Sequence, residues 1–122
     1  MSNSTWDLSN AVSEIMAFRE ARDWGQFHRP KELAAGLAIE AAELQEVFLW
    51  RDQETAEEFV TDEKRLHRAE EEIADVAIYL IMLAHDLGLD LPRVVSNKVE
   101  ANDLRYSIEN HRGVAHKADH SS

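Results

Sequence analysis

The chain has 122 residues, among them 24 acids against 13 lysines and arginines, a formal charge of −11, and no cysteine. A chain of this length suits one domain able to bury about two thirds of its unfolded surface, and the lack of thiols excludes disulfides and thiolate zinc sites and fits a reducing cytoplasm. An acidic surface repels nucleic-acid backbones and anionic membranes, so neither is an expected partner, whereas a small phosphorylated ligand stays open because a divalent cation reverses the local sign.

The opening residues, MSNSTWDLSN, carry no basic and then apolar pattern of a secretory signal. A helix is expected from Leu8 to Trp24, with Leu8, Val12, Ile15 and Arg19 on one side. Pro30 suits the first turn of a second helix running to Trp50. The acidic segment RDQETAEEFVTD follows, in which Thr55 and Glu58 fit a capping box. A third helix is expected from Asp62 to Leu87, with Gly88 just past its end. Its run VAIYLIMLA, residues 76–84, is too short for the roughly 20 residues that cross a bilayer. Asp90 is an N-cap and Pro92 a first-turn residue for a last helix, Leu91 to Glu109. No useful β-alternation occurs, so the expected class is all-α, a bundle of four long helices. Residues 1–110 form the expected domain, and 111–122, lacking apolar periodicity, a flexible tail.

The second helix contains GLAIEAAELQEVFLW, in which Leu37, Leu44, Val47 and Phe48 form an apolar arc with Glu40 inside it and Glu43 on its flank. Moving 32 positions along places Glu40 on Glu72 and Glu43 on Asp75. There Val76, Tyr79, Leu80, Leu83 and Leu87 make the arc. Each helix therefore offers two carboxylates one turn apart, directed partly inward. Acid pairs at this spacing arise roughly five times by chance in so acidic a chain, and most line a solvated face; Glu54 with Glu57 is read that way. Position within an apolar stripe distinguishes the other two pairs, because an ionised carboxylate is costly to bury without a partner.

Four such anions need a counter-charge that these helices do not supply as interior lysine or arginine. Two unit charges about 4 Å apart repel by about 4 kcal/mol at an effective dielectric near 20. Oxygen-only ligands select a hard cation, so Mg²⁺ is the expected ion with Mn²⁺ as a substitute. A di-iron bundle would use Glu-x-x-His pairs, and no histidine here has a glutamate three positions before it.

A helix bearing E-x-x-E followed by one bearing E-x-x-D resembles the MazG-like, all-α nucleoside triphosphate pyrophosphohydrolases, and RDWGQFH and KVEANDLRY resemble their dCTP pyrophosphatase branch. The resemblance implies that Glu40, Glu43, Glu72 and Asp75 hold Mg²⁺ on a triphosphate and that water attacks the α-phosphorus, giving monophosphate and pyrophosphate. Glu46, one more turn along, fits the position of a residue that orients or deprotonates that water. The resemblance also makes Trp24, Phe27, His28 and Trp50 a base-stacking pocket, places Asn102 on the base, and sets Lys98, Arg105 and Tyr106 near phosphates and sugar. Without it, aromatics at helix ends read as corner packing, and the i, i+4, i+7 stripe of Lys98, Asn102 and Arg105 reads equally as a subunit contact.

The implied activity is nucleotide-pool housecleaning on dCTP or a related pyrimidine nucleotide, by a homo-oligomeric dimer or dimer of dimers. Two alternatives stand beside it: a relative acting on dUTP, modified nucleotides or phosphoribosyl-ATP, and a non-enzymatic helical interaction module.

Overall fold

A computed structural model describes residues 7–114 of the chain. All regular elements among them are helical: α1 (Leu8–Ala21), a 3₁₀ turn (Gly25–Phe27), α2 (Pro30–Phe48), α3 (Ala56–Phe59), α4 (Glu63–Asp86), α5 (Leu91–Arg105) and α6 (Ile108–His111). The all-α expectation holds. The helices fall into two compact units divided after Gly88, the first holding α1 to α4 and the second α5 and α6.

Local chemistry sets most of the helix starts. Asp7, Thr55, Asp62, Asp90 and Ser107 each accept the backbone N–H three residues on, satisfying a donor that the helix leaves orphaned. α2 begins instead with Pro30, whose missing N–H costs nothing in a first turn. Thr55 caps as expected, Glu58 N–H donating to Thr55 Oγ1 at 3.2 Å, while the Glu58 side chain accepts from the Thr55 hydroxyl at 3.2 Å and not from its backbone N–H as a full capping box would.

Three helix ends fall short of the sequence expectation. α1 stops at Ala21 rather than Trp24, because Asp23 turns left-handed at φ +52°. α2 stops at Phe48 rather than Trp50. α5 stops at Arg105 rather than Glu109, and Ser107 opens a separate turn, α6, in which His111 lies. The expected tail therefore begins with a helical turn and bend; residues 115–122, with His116 and His120, lie outside the described residues. α4 ends where its glycine predicts, Gly88 standing at φ +70° with its N–H on the His85 carbonyl at 3.0 Å. Gly88→Ala is expected to cost about 1 kcal/mol, from left-handed backbone strain and not from lost packing, as measured by denaturant unfolding.

In the first unit α4 packs along α2 and less extensively on α1. Leu33, the most deeply buried large side chain, and Val47 mark the covered side of α2, while Ala69, Ile81, Met82 and Ala84 mark that of α4. Val47, Phe59 and Ala69 form a small core with Leu66 against it. Phe48, Leu80 and Leu87, expected in the buried arcs, are 42, 39 and 53% exposed and stand at the rim. The segment following α2 is tied down by Arg65, which meets Glu54 in two bonds (2.7 and 2.9 Å) and donates to the Val47 carbonyl at 2.8 Å. Its guanidinium also lies 4.6 Å from the Phe59 ring centre. Glu54 is thus the partner of a covered arginine, and its side chain is only 13% exposed.

Candidate metal centre

α2 passes close against α4 at Gly36. A Cβ built there would overlap Cδ1, Cε1 and Cζ of Tyr79. Gly36 lies one turn before Glu40, and Tyr79 one turn after Asp75, so this contact sets the helix separation beside the acids. Gly36→Ala is expected to force the ring aside and cost about 1–3 kcal/mol as overpacking. A thermal melt measures the loss, and a weaker response to divalent cation should accompany it.

Glu40, Glu43 and Glu72 each present one carboxylate oxygen, and these oxygens all lie within 4.8 Å of one another. Glu40 Oε2 and Glu72 Oε2 are buried with no hydrogen-bond partner. The Glu40 carboxyl is pushed up to about 7, first by burial, then by hydrogen bonding with Glu72, then by the charge and hydrogen bonding of Glu43 and the charge of Asp75. Asp75 contributes its charge from the next turn of α4 but stands outside the trio of converging oxygens.

Among the described residues, no lysine or arginine makes an ion pair with any of these four acids. Arg65 is committed to Glu54, and Arg68 reaches Glu46 at 3.3 Å on an exposed surface. Orphaned buried oxygens on adjacent helices are costly. A cation bound by the trio removes that cost, and the all-oxygen donor set fits a hard ion.

The other sequence-selected residues divide between the units. Glu46 lies on α2 one turn beyond Glu43, largely exposed. Trp24 precedes the 3₁₀ turn, its ring edge-on to Phe18 at 5.6 Å and to His28 at 6.5 Å. His28 is half-buried, with Nδ1 covered and unpartnered. Trp50, past the end of α2, is 86% exposed. In the second unit α5 carries Lys98, Asn102 and Arg105, with Tyr106 at its C-cap donating N–H to the Asn102 carbonyl at 2.7 Å. The Tyr106 ring meets His111 edge-on at 5.2 Å. Two features escaped the sequence reading: the Arg65–Glu54 tie, and an ion pair of Arg19 with Asp86 at 2.7 Å. Arg19 standing in the apolar stripe of α1 was the only signal for the second.

An all-helical protein with a carboxylate cluster able to hold a metal ion between two helices is the class that fold and site define. The chain belongs to the MazG-like family, whose model matches residues 36–120. It is 39% identical to dCTP pyrophosphatase 1 of Rattus norvegicus over 100 residues, 82% of this chain and 59% of that protein. With dCTP pyrophosphatase 1 of Homo sapiens it shares 40% identity over 90 residues, 73% of this chain and 52% of that one. The chain thus spans between half and three fifths of the length of these relatives. The crystal structure of a pyrophosphatase from Archaeoglobus fulgidus superposes with a TM-score of 0.74 at 36% identity, covering 88% of this chain and 98% of that one. Among the described residues, no helix is long and apolar enough to cross a membrane.

Proposed function

We propose that the chain is a nucleoside triphosphate pyrophosphohydrolase, acting on dCTP or a related pyrimidine nucleotide with Mg²⁺ as cofactor and Mn²⁺ as a substitute. The observation that carries this reading is the pair of buried, unpartnered oxygens of Glu40 and Glu72 within the Glu40–Glu43–Glu72 trio. The names of the relatives supply the substrate class. Residues 1–110 form the working domain, in the cytoplasm, as a dimer or dimer of dimers. Exposed Ile39 on α2 and Ile73 on α4 supply apolar surface for such assembly.

Glu40, Glu43, Glu72 and Asp75 would hold the ion. Mg²⁺, when bound, supplies charge neutralisation at the phosphates and acidifies water. Glu40, raised to about 7, must release its proton before it can serve as a ligand. Glu46 is assigned to the attacking water, which it orients and relieves of a proton as the new bond to the α-phosphorus forms and the bond to the bridging oxygen breaks. Trp24, His28 and Trp50 are assigned to the base. Asn102 is assigned to the base edge, and Lys98, Arg105 and Tyr106 to phosphates and sugar.

The test is turnover of a full nucleotide panel with Mg²⁺ in ¹⁸O-water. Monophosphate carrying the label, with unlabelled pyrophosphate and dCTP turned over fastest, is the expected outcome. Release of orthophosphate would place attack at the terminal phosphorus and refute the assignment, and no turnover of any nucleotide would favour an interaction module.

A further inference from the structure

Arg19 is a charged residue on the covered side of α1, 9% exposed. Its guanidinium bonds Asp86 twice, Nη1 to Oδ2 and Nη2 to Oδ1, each at 2.7 Å. Asp86 is the last residue of α4, where an anion is disfavoured by the partial negative charge of a helix C-terminus. The arginine offsets that field: its hydrogen bond, and then its charge, hold the Asp86 carboxyl below the ordinary range against the opposing effect of burial. Such a bidentate pair has tight geometric demands and fixes the two backbones that carry it.

What it fixes is visible in the main chain of Arg19. The Arg19 carbonyl accepts the N–H of Trp24 at 3.1 Å, and the Glu20 carbonyl that of Asp23 at 3.0 Å. This is the double closure of a Schellman cap, made here with aspartate in the left-handed position usually given to glycine. Gln26 Nε2 braces that strained residue, donating to the Asp23 carbonyl at 3.1 Å and to its carboxylate at 3.0 Å. Arg19 is therefore joined through its side chain to the end of α4 and through its carbonyl to Trp24. The 3₁₀ turn leads on to His28, whose covered Nδ1 has no partner.

We propose that the Arg19–Asp86 ion pair is a positioning device that holds the Trp24–His28 segment against the end of α4 and thereby sets the affinity of the chain for the base of its nucleotide. The affinity half of this inference rests on the nucleotide function proposed above; the positioning half does not. The pair lies at the opposite end of α4 from Leu66, so the device can be broken without touching the small core around Val47.

The test uses the full chain and compares Asp86→Asn and Arg19→Lys with Leu66→Ala, which destabilises the first unit elsewhere. Without ligand, amides of residues 22–28 should exchange with deuterium about tenfold faster in Asp86→Asn than in Leu66→Ala, while residues 37–47 keep their relative protection. With nucleotide, KM should rise about tenfold and kcat stay within about twofold, the pattern of lost binding and not of lost chemistry. Arg19→Lys, which keeps the charge but loses the second bond, should move both readouts the same way by less. The exchanged pair, Arg19→Asp with Asp86→Arg, should restore them in part. Protection of 22–28 unchanged in Asp86→Asn, or a KM no higher than that of Leu66→Ala, would overturn the proposal. If the native chain turns over no triphosphate, the functional reading and the affinity half fall together, and the exchange data alone decide whether the pair holds the segment.

Discussion

Glu72→Gln is expected to lower turnover of the preferred triphosphate by about a thousandfold while raising the melting temperature of the metal-free protein at pH 8. The two signs differ because the carboxylate serves opposite ends. As one of three oxygens lying within 4.8 Å of one another, it is part of a set whose members act as a unit, and removal of one charge from such a set costs catalysis severely. In the absence of a cation the same charge is a burden, because Glu40 Oε2 and Glu72 Oε2 are buried with no donor on either. A glutamine at 72 brings an amide N–H to the neighbouring oxygen and removes a like charge. Steady-state kinetics and thermal melts of the same sample measure both effects. A variant that loses activity and stability together would instead mark Glu72 as a packing residue.

Raising the pH should weaken the metal-free protein and strengthen its grip on Mg²⁺. The Glu40 carboxyl is pushed from its ordinary 4.5 up to about 7, chiefly by burial and then by Glu72. Between those values the folded state binds a proton that the unfolded chain has released, so stability falls as pH rises through that window. The contribution is fully present below about 4.5 and lost above about 7. A cation must displace the same proton, so its affinity rises with pH across that interval. At pH 8 a hundredfold excess of Mg²⁺ over its dissociation constant should return about 2.7 kcal/mol. Melts at pH 5, 6, 7 and 8 with and without Mg²⁺ check this: the metal-free and metal-bound curves should diverge as pH increases. Curves that stay parallel would show that Glu40 does not carry the coupling.

The sequence announced the acids by an inconsistency. Glu40 and Glu72 occupy positions in apolar stripes where leucine would bury surface, and both prove to be half-buried and unpartnered at Oε2. Punctuation was equally legible: Pro30, Thr55, Gly88 and Asp90 act as their chemistry dictates. What stayed hidden depends on conformation or on distance along the chain. α1 ends through a left-handed aspartate that composition does not mark. Arg19 was visible in its stripe, but the partner that justifies it lies 67 residues away. Phe48, Leu80 and Leu87 show a further limit, since periodicity identifies the apolar side of a helix and not how much of that side its own chain covers.

The metal role of Glu40, Glu43 and Glu72 is the proposition on which the enzymatic reading stands. Its most direct test is anomalous diffraction from crystals of the chain grown with Mn²⁺ and a non-hydrolysable α,β-imido triphosphate. Anomalous density is expected between α2 and α4, bounded by carboxylate oxygens of these three residues, with the triphosphate on its open side. Anomalous density elsewhere, with the carboxylates of Glu40, Glu43 and Glu72 left without an ion, would overturn the metal role.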